Sequence, residues 1–145
     1  MPDDRNLKPR YRFIDHTADL GIEVRGETER DLFANAALAV HDLIADTRTV
    51  RPRESRVISV SGIDSNDLLV NFLREVLYLF NGERMLAANC TILEMDGERV
   101  KAELRGEIFD RERHALKKEI KAVTHHQADL RRGKGGWKAR IIFDV

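Results

Sequence analysis

Two stretches of the chain repeat apolar residues at the spacing of an amphipathic helix. The first begins after Thr28 and continues to about Ala45, and the second begins after Asp64 and ends at Asn81-Gly82. Residues three and four positions apart share one face of a helix, so each stretch presents one apolar stripe. Thr28 and Asp64 carry side-chain oxygens that can cap free amides at a helix N-terminus. The pattern therefore predicts two helices, each buried through one side.

The other regular segments alternate apolar and polar residues or form short apolar runs, which is typical of strands. The predicted strands are 11–15, 20–25, 56–61, 90–94, 98–107, 120–130 and 137–143. Asp96-Gly97 predicts a tight hairpin between the fourth and fifth strands, and the glycine-rich segment 133–136 predicts a turn before the last strand. Gly106, inside the fifth strand, is expected to mark a bulge.

The order of these elements predicts an α+β domain. Strand, helix, strand, helix and then several strands give two layers, in which two amphipathic helices cover one face of a largely antiparallel sheet. A chain of 145 residues suits a single domain. Residues 1–10 are polar and contain proline, so we expect a flexible tail there and one domain over 11–145.

The hydropathy of the chain predicts a location. No apolar run approaches the roughly 20 residues of a membrane span. Residues 1–10 also lack the apolar core of a secretory signal, so the expected location is the cytoplasm.

Charge is unevenly distributed, although the formal net charge is zero. From Arg111 to the end the chain has ten Lys/Arg and four Asp/Glu. The first 110 residues have fifteen Lys/Arg and twenty-one Asp/Glu. A basic C-terminal third can contact RNA, nucleotide phosphates or an acidic protein. Strand edges also carry basic residues simply to stay soluble, so both interpretations remain open. The candidate patch for a nucleic acid or partner consists of Arg131, Arg132, Lys134 and Lys138.

Carboxylates lie near both ends of the chain. The segment Asp15-His16-Thr17-Ala18-Asp19 follows the first predicted strand, and Asp144 precedes the terminal carboxylate of Val145. The apolar run 141–143 should be buried and so hold Asp144 at a sheet edge, whereas chain ends normally fray. If the fold joins the two ends, they form an all-oxygen pocket for a hard divalent cation. A junction rich in Asp and Thr can equally be only a turn.

Two other motifs give little sign of catalytic chemistry. Cys90 is the only cysteine, so it forms no internal disulfide and suggests no thiolate metal site. The turn Gly133-Lys134-Gly135-Gly136 lacks the spacing of a phosphate-binding P-loop and precedes a strand instead of a helix. The residues alone do not indicate a self-sufficient enzyme.

The pair His125-His126 lacks the spacing of zinc ligands, and surface or packed histidines are the commoner case. Successive side chains of a regular strand point to opposite faces. On such a strand His125 shares a face with Val123 and Asp129, and His126 shares the other face with Thr124.

Three segments taken together resemble the archease family, and their order and separation match from end to end. They are Asp15-His16-Thr17-Ala18-Asp19-Leu20-Gly21, Lys121-Ala122-Val123-Thr124-His125-His126, and the closing stretch from Trp137 through Ile142-Phe143-Asp144-Val145. One position departs from the pattern. The family commonly has Thr-Tyr-His where this chain has Thr124-His125-His126, so His126 fills the histidine position and His125 replaces an aromatic residue.

The resemblance implies a non-catalytic accessory protein of the RtcB-type RNA ligase, which joins tRNA halves in tRNA splicing and other RNA ends in repair. Such a protein promotes formation of the ligase's guanylate intermediate from GTP and so permits multiple turnover. Indirect contact with GTP or RNA is compatible with this role, and direct contact with RNA stays open. The implied fold is similar to a strand–helix–strand–strand module with added strands.

The resemblance also implies a site. The family's divalent cation site, usually assigned to calcium, maps onto Asp19, Asp144 and the carboxylate of Val145; magnesium or manganese suits the same oxygens. The remaining candidates for partner contact or activation are Lys121, Asp15, His16 and His126.

Two rival functions stay open at this point. One is a chaperone or specificity factor for a tRNA-modifying enzyme such as a tRNA methyltransferase, which the basic C-terminal third fits equally well. The other is a metal-dependent hydrolase that uses the carboxylate cluster, although no base or nucleophile is evident beside it.

Overall fold

The computed structural model describes residues 11–14 and 19–145, and all structural statements refer to these residues. They form seven strands, two α-helices and one short 3-10 helix, Thr47–Thr49. The strands are β1 Tyr11–Ile14, β2 Leu20–Gly26, β3 Glu54–Ser61, β4 Met85–Met95, β5 Arg99–Ile108, β6 Ala122–Gly133 and β7 Gly136–Asp144. The helices are α1 Glu29–Ile44 and α2 Ser65–Asn81.

The strands form two antiparallel sheets. One sheet has four strands in the order β1-β2-β7-β6, and the other has three in the order β3-β5-β4. The first strands of the chain thus pair with its last ones, so the two termini of the domain share a sheet. The predicted α+β class with two helices and antiparallel strands is confirmed.

Both helices are capped as their sequences predict. The Thr28 hydroxyl accepts a hydrogen bond from the Asp31 amide at 3.0 Å, and the Asp64 carboxylate accepts one from the Asp67 amide at 2.8 Å. Each cap satisfies an amide that has no partner within its own helix.

The helices pack against both sheets. Helix α1 contacts β2 in the four-stranded sheet and β4 in the three-stranded one, and α2 contacts β6 and β3. Ten of the sixteen α1 residues are buried, including His41 and Asp42. A helix enclosed in this way is apolar around most of its circumference. A helix that lies on one sheet needs only one apolar stripe, facing that sheet.

Strand β4 begins five residues earlier than the pattern predicts. Met85, Leu86, Ala87 and Ala88 are buried, and a continuous apolar run gives no alternation to mark a strand. A bulge lies at Gly106 as expected, but its extra residue is in the partner strand β4: Ala87 pairs with Gly106 and Asn89 with Arg105, which leaves Ala88 unpaired. Gly106 has another role, because a Cβ there would collide with the Leu86 carbonyl.

His41 connects three elements in the interior. Its side chain is fully buried on α1. Nδ1 accepts a hydrogen bond from the Ala87 amide of β4 at 2.8 Å, and Nε2 lies 2.7 Å from the Val76 carbonyl of α2. A carbonyl only accepts, so Nε2 carries the proton and donates it, and the ring is neutral. Burial lowers the pKa of His41 from 6.5 to about 4.

His41 should make the protein less stable in acid. The unfolded chain binds a proton at His41 below about pH 6.5, while the folded chain resists doing so until about pH 4. The free energy of unfolding should therefore fall by about 2–3 kcal/mol between pH 7 and pH 4.5 from this group alone. Urea denaturation across that range measures the decline, and His41→Gln should reduce its slope. His126→Gln, at an exposed histidine, is the control. An equal slope in wild type and His41→Gln would contradict the assignment.

Candidate functional site

The C-terminal strand β7 lies inside the four-stranded sheet and pairs on both edges. Leu20 of β2 faces Phe143, and Val123 of β6 faces the same residue from the other side. Ile141, Ile142 and Phe143 are fully buried. The predicted burial of this last strand is confirmed, and it fixes the backbone immediately before Asp144.

The β2–β7 ladder ends one residue short of Asp19 and Asp144. Leu20 pairs with Phe143 and Gly21 with Ile142, and one further step of this register would put Asp19 opposite Asp144. Directly opposed side chains point to the same face of a sheet, with Cβ atoms about 4.5–5.5 Å apart. Asp19 is partly buried, whereas Asp144 is exposed. The loop after the first strand and the C-terminus thus meet at one edge.

The terminal residue belongs to the same edge. Val145 follows Asp144 directly and is 51% exposed. The Asp144 carbonyl accepts a hydrogen bond from the Lys121 amide at 2.8 Å, which holds the backbone up to the last residue. Asp19, Asp144 and the Val145 carboxylate therefore lie on neighbouring backbone positions, and their oxygens are the donors that a hard cation prefers.

Two further predicted site residues lie outside the described chain. The predicted residues Asp15 and His16 fall in segment 15–18, of which nothing is described. Among residues 11–14 and 19–145, no three side chains of His, Cys, Asp or Glu are grouped closely enough to hold a metal ion. The described donor set is two aspartates and the terminal carboxylate, and the cation site remains a prediction.

Lys121 is adjacent to this edge through its backbone. Its side chain is exposed and lies just before β6. It also lines a cavity of about 650 Å³ between the end of α2 and the segment before β6. Lys117, Lys118 and Arg84 line the same cavity. A positively charged recess therefore borders the acidic end of β7.

Strand β6 is irregular where the histidines lie. Thr124 pairs with Ile142, but the next paired residue is Asp129, opposite Arg140. Residues 125–128 bulge away from the ladder, and Gln127 has a φ of 53°. The regular strand assumed for His125 and His126 is therefore not present, because strict alternation ends at Thr124.

The bulge places His125 between two charged residues of α2. Arg74 Nη2 donates to His125 Nδ1 at 3.2 Å, so Nε2 carries the proton and contacts the Asp67 carboxylate at 2.9 Å. Arg74 also donates through Nε to the Val123 carbonyl at 3.1 Å. These bonds attach the bulge to the helix. No local sequence signal indicates this network, because its members lie about fifty residues apart.

His126, the predicted activation residue, is exposed on the bulge. Its amide donates to the Thr124 hydroxyl at 3.2 Å. Thr124 pairs with Ile142, two residues before Asp144. His126 is thus connected to the strand that ends at the acidic edge.

The four predicted patch residues lie together at the other end of β7. Arg131, Arg132, Lys134 and Lys138 all line one open groove of about 660 Å³. Arg12 and Arg25 also line it, as do Trp137 and the glycines of the β6–β7 turn. The sequence therefore identified a set of cations that the fold places on one surface.

Two further polar groups are structural. Glu107 accepts hydrogen bonds from the Arg51 amide at 2.7 Å, from His114 Nε2 at 3.1 Å and from the Arg113 guanidinium. Burial alone would raise the pKa of Glu107, but these donors outweigh it and lower the pKa. Burial raises the pKa of Cys90 to about 12, so its thiol stays protonated and is no thiolate ligand.

Fold and site together define a small α+β protein in which the start of β2 and the end of β7 lie at one edge of a sheet. The Archease protein family (MTH1598/TM1083) model matches residues 11–145. The chain is 36% identical over 140 residues to protein archease of Methanosarcina mazei, covering 94% of this chain and 96% of that one. It is 38% identical over 138 residues to protein archease of Archaeoglobus fulgidus, covering 94% and 99%.

Solved structures agree. The solution structure of Methanobacterium thermoautotrophicum protein 1598 matches with a TM-score of 0.77 and 30% identity, over 96% of this chain and 100% of that one. The crystal structure of an archease from Thermotoga maritima, described as a possible chaperone, matches with a TM-score of 0.60 over 91% and 94%. Its 20% identity supports the fold alone. The chain belongs to the archease family.

No helix in the described ranges has the length and apolar character needed to cross a membrane.

His125→Phe tests the network on the bulge. The Ile63 amide and then His125 lower the pKa of Asp67. Removing the imidazole should raise the pKa of Asp67 toward its ordinary value of 3.8. The remaining hydrogen bond from the Ile63 amide should still hold the pKa below that value. Carboxylate NMR titration measures the change. Asp46, whose pKa is lowered mainly by Arg48, should titrate identically in both proteins. An unchanged Asp67 would mean that the contact does not persist in solution.

Proposed function

We propose that this protein is a non-catalytic accessory factor that activates an RtcB-type RNA ligase in tRNA splicing and RNA repair, a cytoplasmic role. It would promote guanylylation of the ligase and so permit multiple turnover, through a divalent cation held at the acidic edge. The observation that supports the proposal is the β2–β7 register, in which Leu20, the residue after Asp19, pairs with Phe143, the residue before Asp144. Family membership supports it independently.

The physical basis is charge repulsion. Three carboxylates on adjacent backbone positions destabilise one another when all are ionised. A cation removes that repulsion and presents a positive charge at a surface that is otherwise acidic. Calcium is our first choice, because it accepts six to eight oxygen ligands in flexible geometry and takes missing ligands from water or a partner. Magnesium and manganese are the alternatives.

The exposure of the edge suits a docking role. Asp144 and Val145 face solvent, so a partner's loop or phosphate groups can approach them directly. Strand β7 holds their backbone in place before the partner arrives, which lowers the entropic cost of association. In this proposal the chain supplies a rigid, charged contact, and the ligase supplies the catalytic groups.

Lys121 is assigned a supporting role. Its amide is fixed to the Asp144 carbonyl, while its exposed side chain is free to extend toward the partner. An ammonium beside the edge can bind a nucleotide phosphate or a ligase carboxylate. We assign His126, Asp15 and His16 to partner contact as well, on the strength of the resemblance.

A second function has a specific observation in its favour. Arg131, Arg132, Lys134 and Lys138 line one open basic groove, which can contact tRNA or an acidic enzyme surface. A chaperone or specificity factor for a tRNA-modifying enzyme, such as a tRNA methyltransferase, would use exposed surface in general and would not require the acidic edge. The importance of Asp19 and Asp144 therefore separates the two functions.

Calcium binding tests the site itself. Asp19→Asn and Asp144→Asn each remove one charged ligand but keep the side-chain shape, so each should weaken calcium binding at least tenfold in isothermal titration calorimetry. Amidation of the Val145 carboxylate should have a similar effect. Glu75→Gln, at an exposed α2 carboxylate, is the matched control. Wild-type affinity in all three altered proteins would refute the site.

Ligation at limiting ligase tests the role. Without this protein, each ligase molecule should complete about one turnover. Adding the wild-type protein should allow each ligase molecule to complete many turnovers and should accelerate formation of the ligase guanylate. Asp19→Asn and Asp144→Asn should abolish that stimulation and still melt at the wild-type temperature, while Glu75→Gln should retain it. Full stimulation by both aspartate variants would eliminate the proposal. Protection of a tRNA methyltransferase from aggregation by those variants would instead favour the chaperone.

A further inference from the structure

The basic groove has a core of three cations side by side. Arg25 of β2 pairs with Lys138 of β7, and Lys138 pairs with Arg131 of β6. The three side chains therefore lie in one row across three adjacent strands and on one face. Like charges directly opposite each other in a sheet are destabilising. The row is present despite this cost, which points to a use for concentrated positive charge.

Neighbouring carboxylates neutralise only part of the groove. Glu23 contacts Arg12 at 3.1 Å and Arg25 at 3.2 Å, and Asp129 contacts Arg131 at 2.6 Å. Within residues 11–14 and 19–145, no ion pair involves the other three cations of the groove. These are Arg132, Lys134 and Lys138. They are the groups available to an anionic ligand.

The charge balance of the whole groove is strongly positive. Six basic side chains line it, against two lining carboxylates, Glu23 and Glu27, and Asp129, which pairs with Arg131 from outside the lining. The six come from four strands and the β6–β7 turn, so the charge is spread along a channel and not concentrated at a point. A small anion would satisfy only one or two of these groups, whereas an extended polyanion can contact several together.

The groove lacks the apolar centre of a protein interface. Interfaces between proteins centre on buried aromatic and aliphatic groups, whereas those with nucleic acid are more polar and more positive. None of the large hydrophobic side chains exposed in the described chain, including Phe13, Ile63 and Tyr78, lines this groove. Four of the six cations are arginines, whose planar guanidinium matches phosphate geometry.

We propose that this groove, defined by Arg12, Arg25, Arg131, Arg132, Lys134 and Lys138, binds the phosphodiester backbone of single-stranded RNA without regard to base sequence. Two aromatic residues, Tyr11 and Trp137, line the groove, and both are partly buried. The Tyr11 hydroxyl donates to Asp42 at 2.8 Å, and the Arg132 guanidinium lies 6.0 Å from the centre of the Trp137 ring. Both rings therefore have partners within the protein, and the exposed cations are the groups that would contact phosphates.

RNA binding of this kind goes beyond the activation of a ligase and does not depend on it. Lys138 and Asp144 lie six residues apart on β7, about 20 Å at the rise of a strand, and their even spacing puts both on the same face. One face of the sheet thus has an anionic end and a cationic end. RNA in the groove would lie about that distance from the acidic edge.

Binding of fluorescein-labelled uridine and adenosine decamers to the full chain, measured by anisotropy at several salt concentrations, tests this inference without any ligase. The variant Arg132→Glu/Lys134→Glu/Lys138→Glu removes the three cations that form no ion pair in the described chain. The control Arg53→Glu/Arg105→Glu/Arg111→Glu makes the same change, from zero to −6 in net charge, at exposed sites outside the groove. Melting temperatures confirm that both variants are folded.

We expect both decamers to bind the wild type with similar affinity. The groove variant should lose at least about tenfold in affinity, and the slope of log K against log salt should become shallower by roughly 2, because three phosphates are no longer neutralised. The control variant should retain binding to within about threefold.

Equal losses in both variants would mean that only net charge matters. Binding of polyglutamate more tightly than RNA would assign the groove to an acidic protein instead. Either result would overturn the inference.

Discussion

Pairing of β7 on both edges is the constraint on which the rest of the structure depends. Its neighbours are β2, from the start of the chain, and β6, and its residues Ile141, Ile142 and Phe143 are fully buried. A terminal strand held in this way does not fray, so the last residues have a fixed position. The position of Asp144 is a direct consequence: it follows Phe143, which pairs with Leu20 at the start of β2.

The interior supports that strand from the helix side. Helices α1 and α2 each contact both sheets, and His41 joins α1 to α2 and β4 through two buried hydrogen bonds. A neutral imidazole with both nitrogens satisfied costs little to bury, whereas a charged one would be expensive. The network of Arg74, His125 and Asp67 attaches the irregular part of β6 to α2. These buried and inter-element hydrogen bonds thus support the sheet that carries the proposed site.

Local patterns predicted most elements, and long-range contacts account for what they missed. The caps at Thr28 and Asp64 and the apolar stripes located both helices, because these signals lie within a few residues. The division into two sheets depends on which strands pair across the chain, and no local pattern encodes that. The β6 bulge departs from alternation because distant α2 side chains hold it. At the site, the burial of 141–143 correctly predicted that Asp144 would be anchored, while the cation itself stays a proposal.

Paramagnetic NMR with manganese tests the central claim most directly, because a bound Mn²⁺ broadens nearby amide signals without any need for a partner. If the fold joins its two ends around one cation, substoichiometric Mn²⁺ should broaden the amides of Asp19, Leu20, Asp144 and Val145 first. The amides around Gly135, at the other end of the sheet, should stay sharp. Calcium should compete and restore the signals. Broadening centred elsewhere, or signals from only one of the two chain ends, would contradict the account.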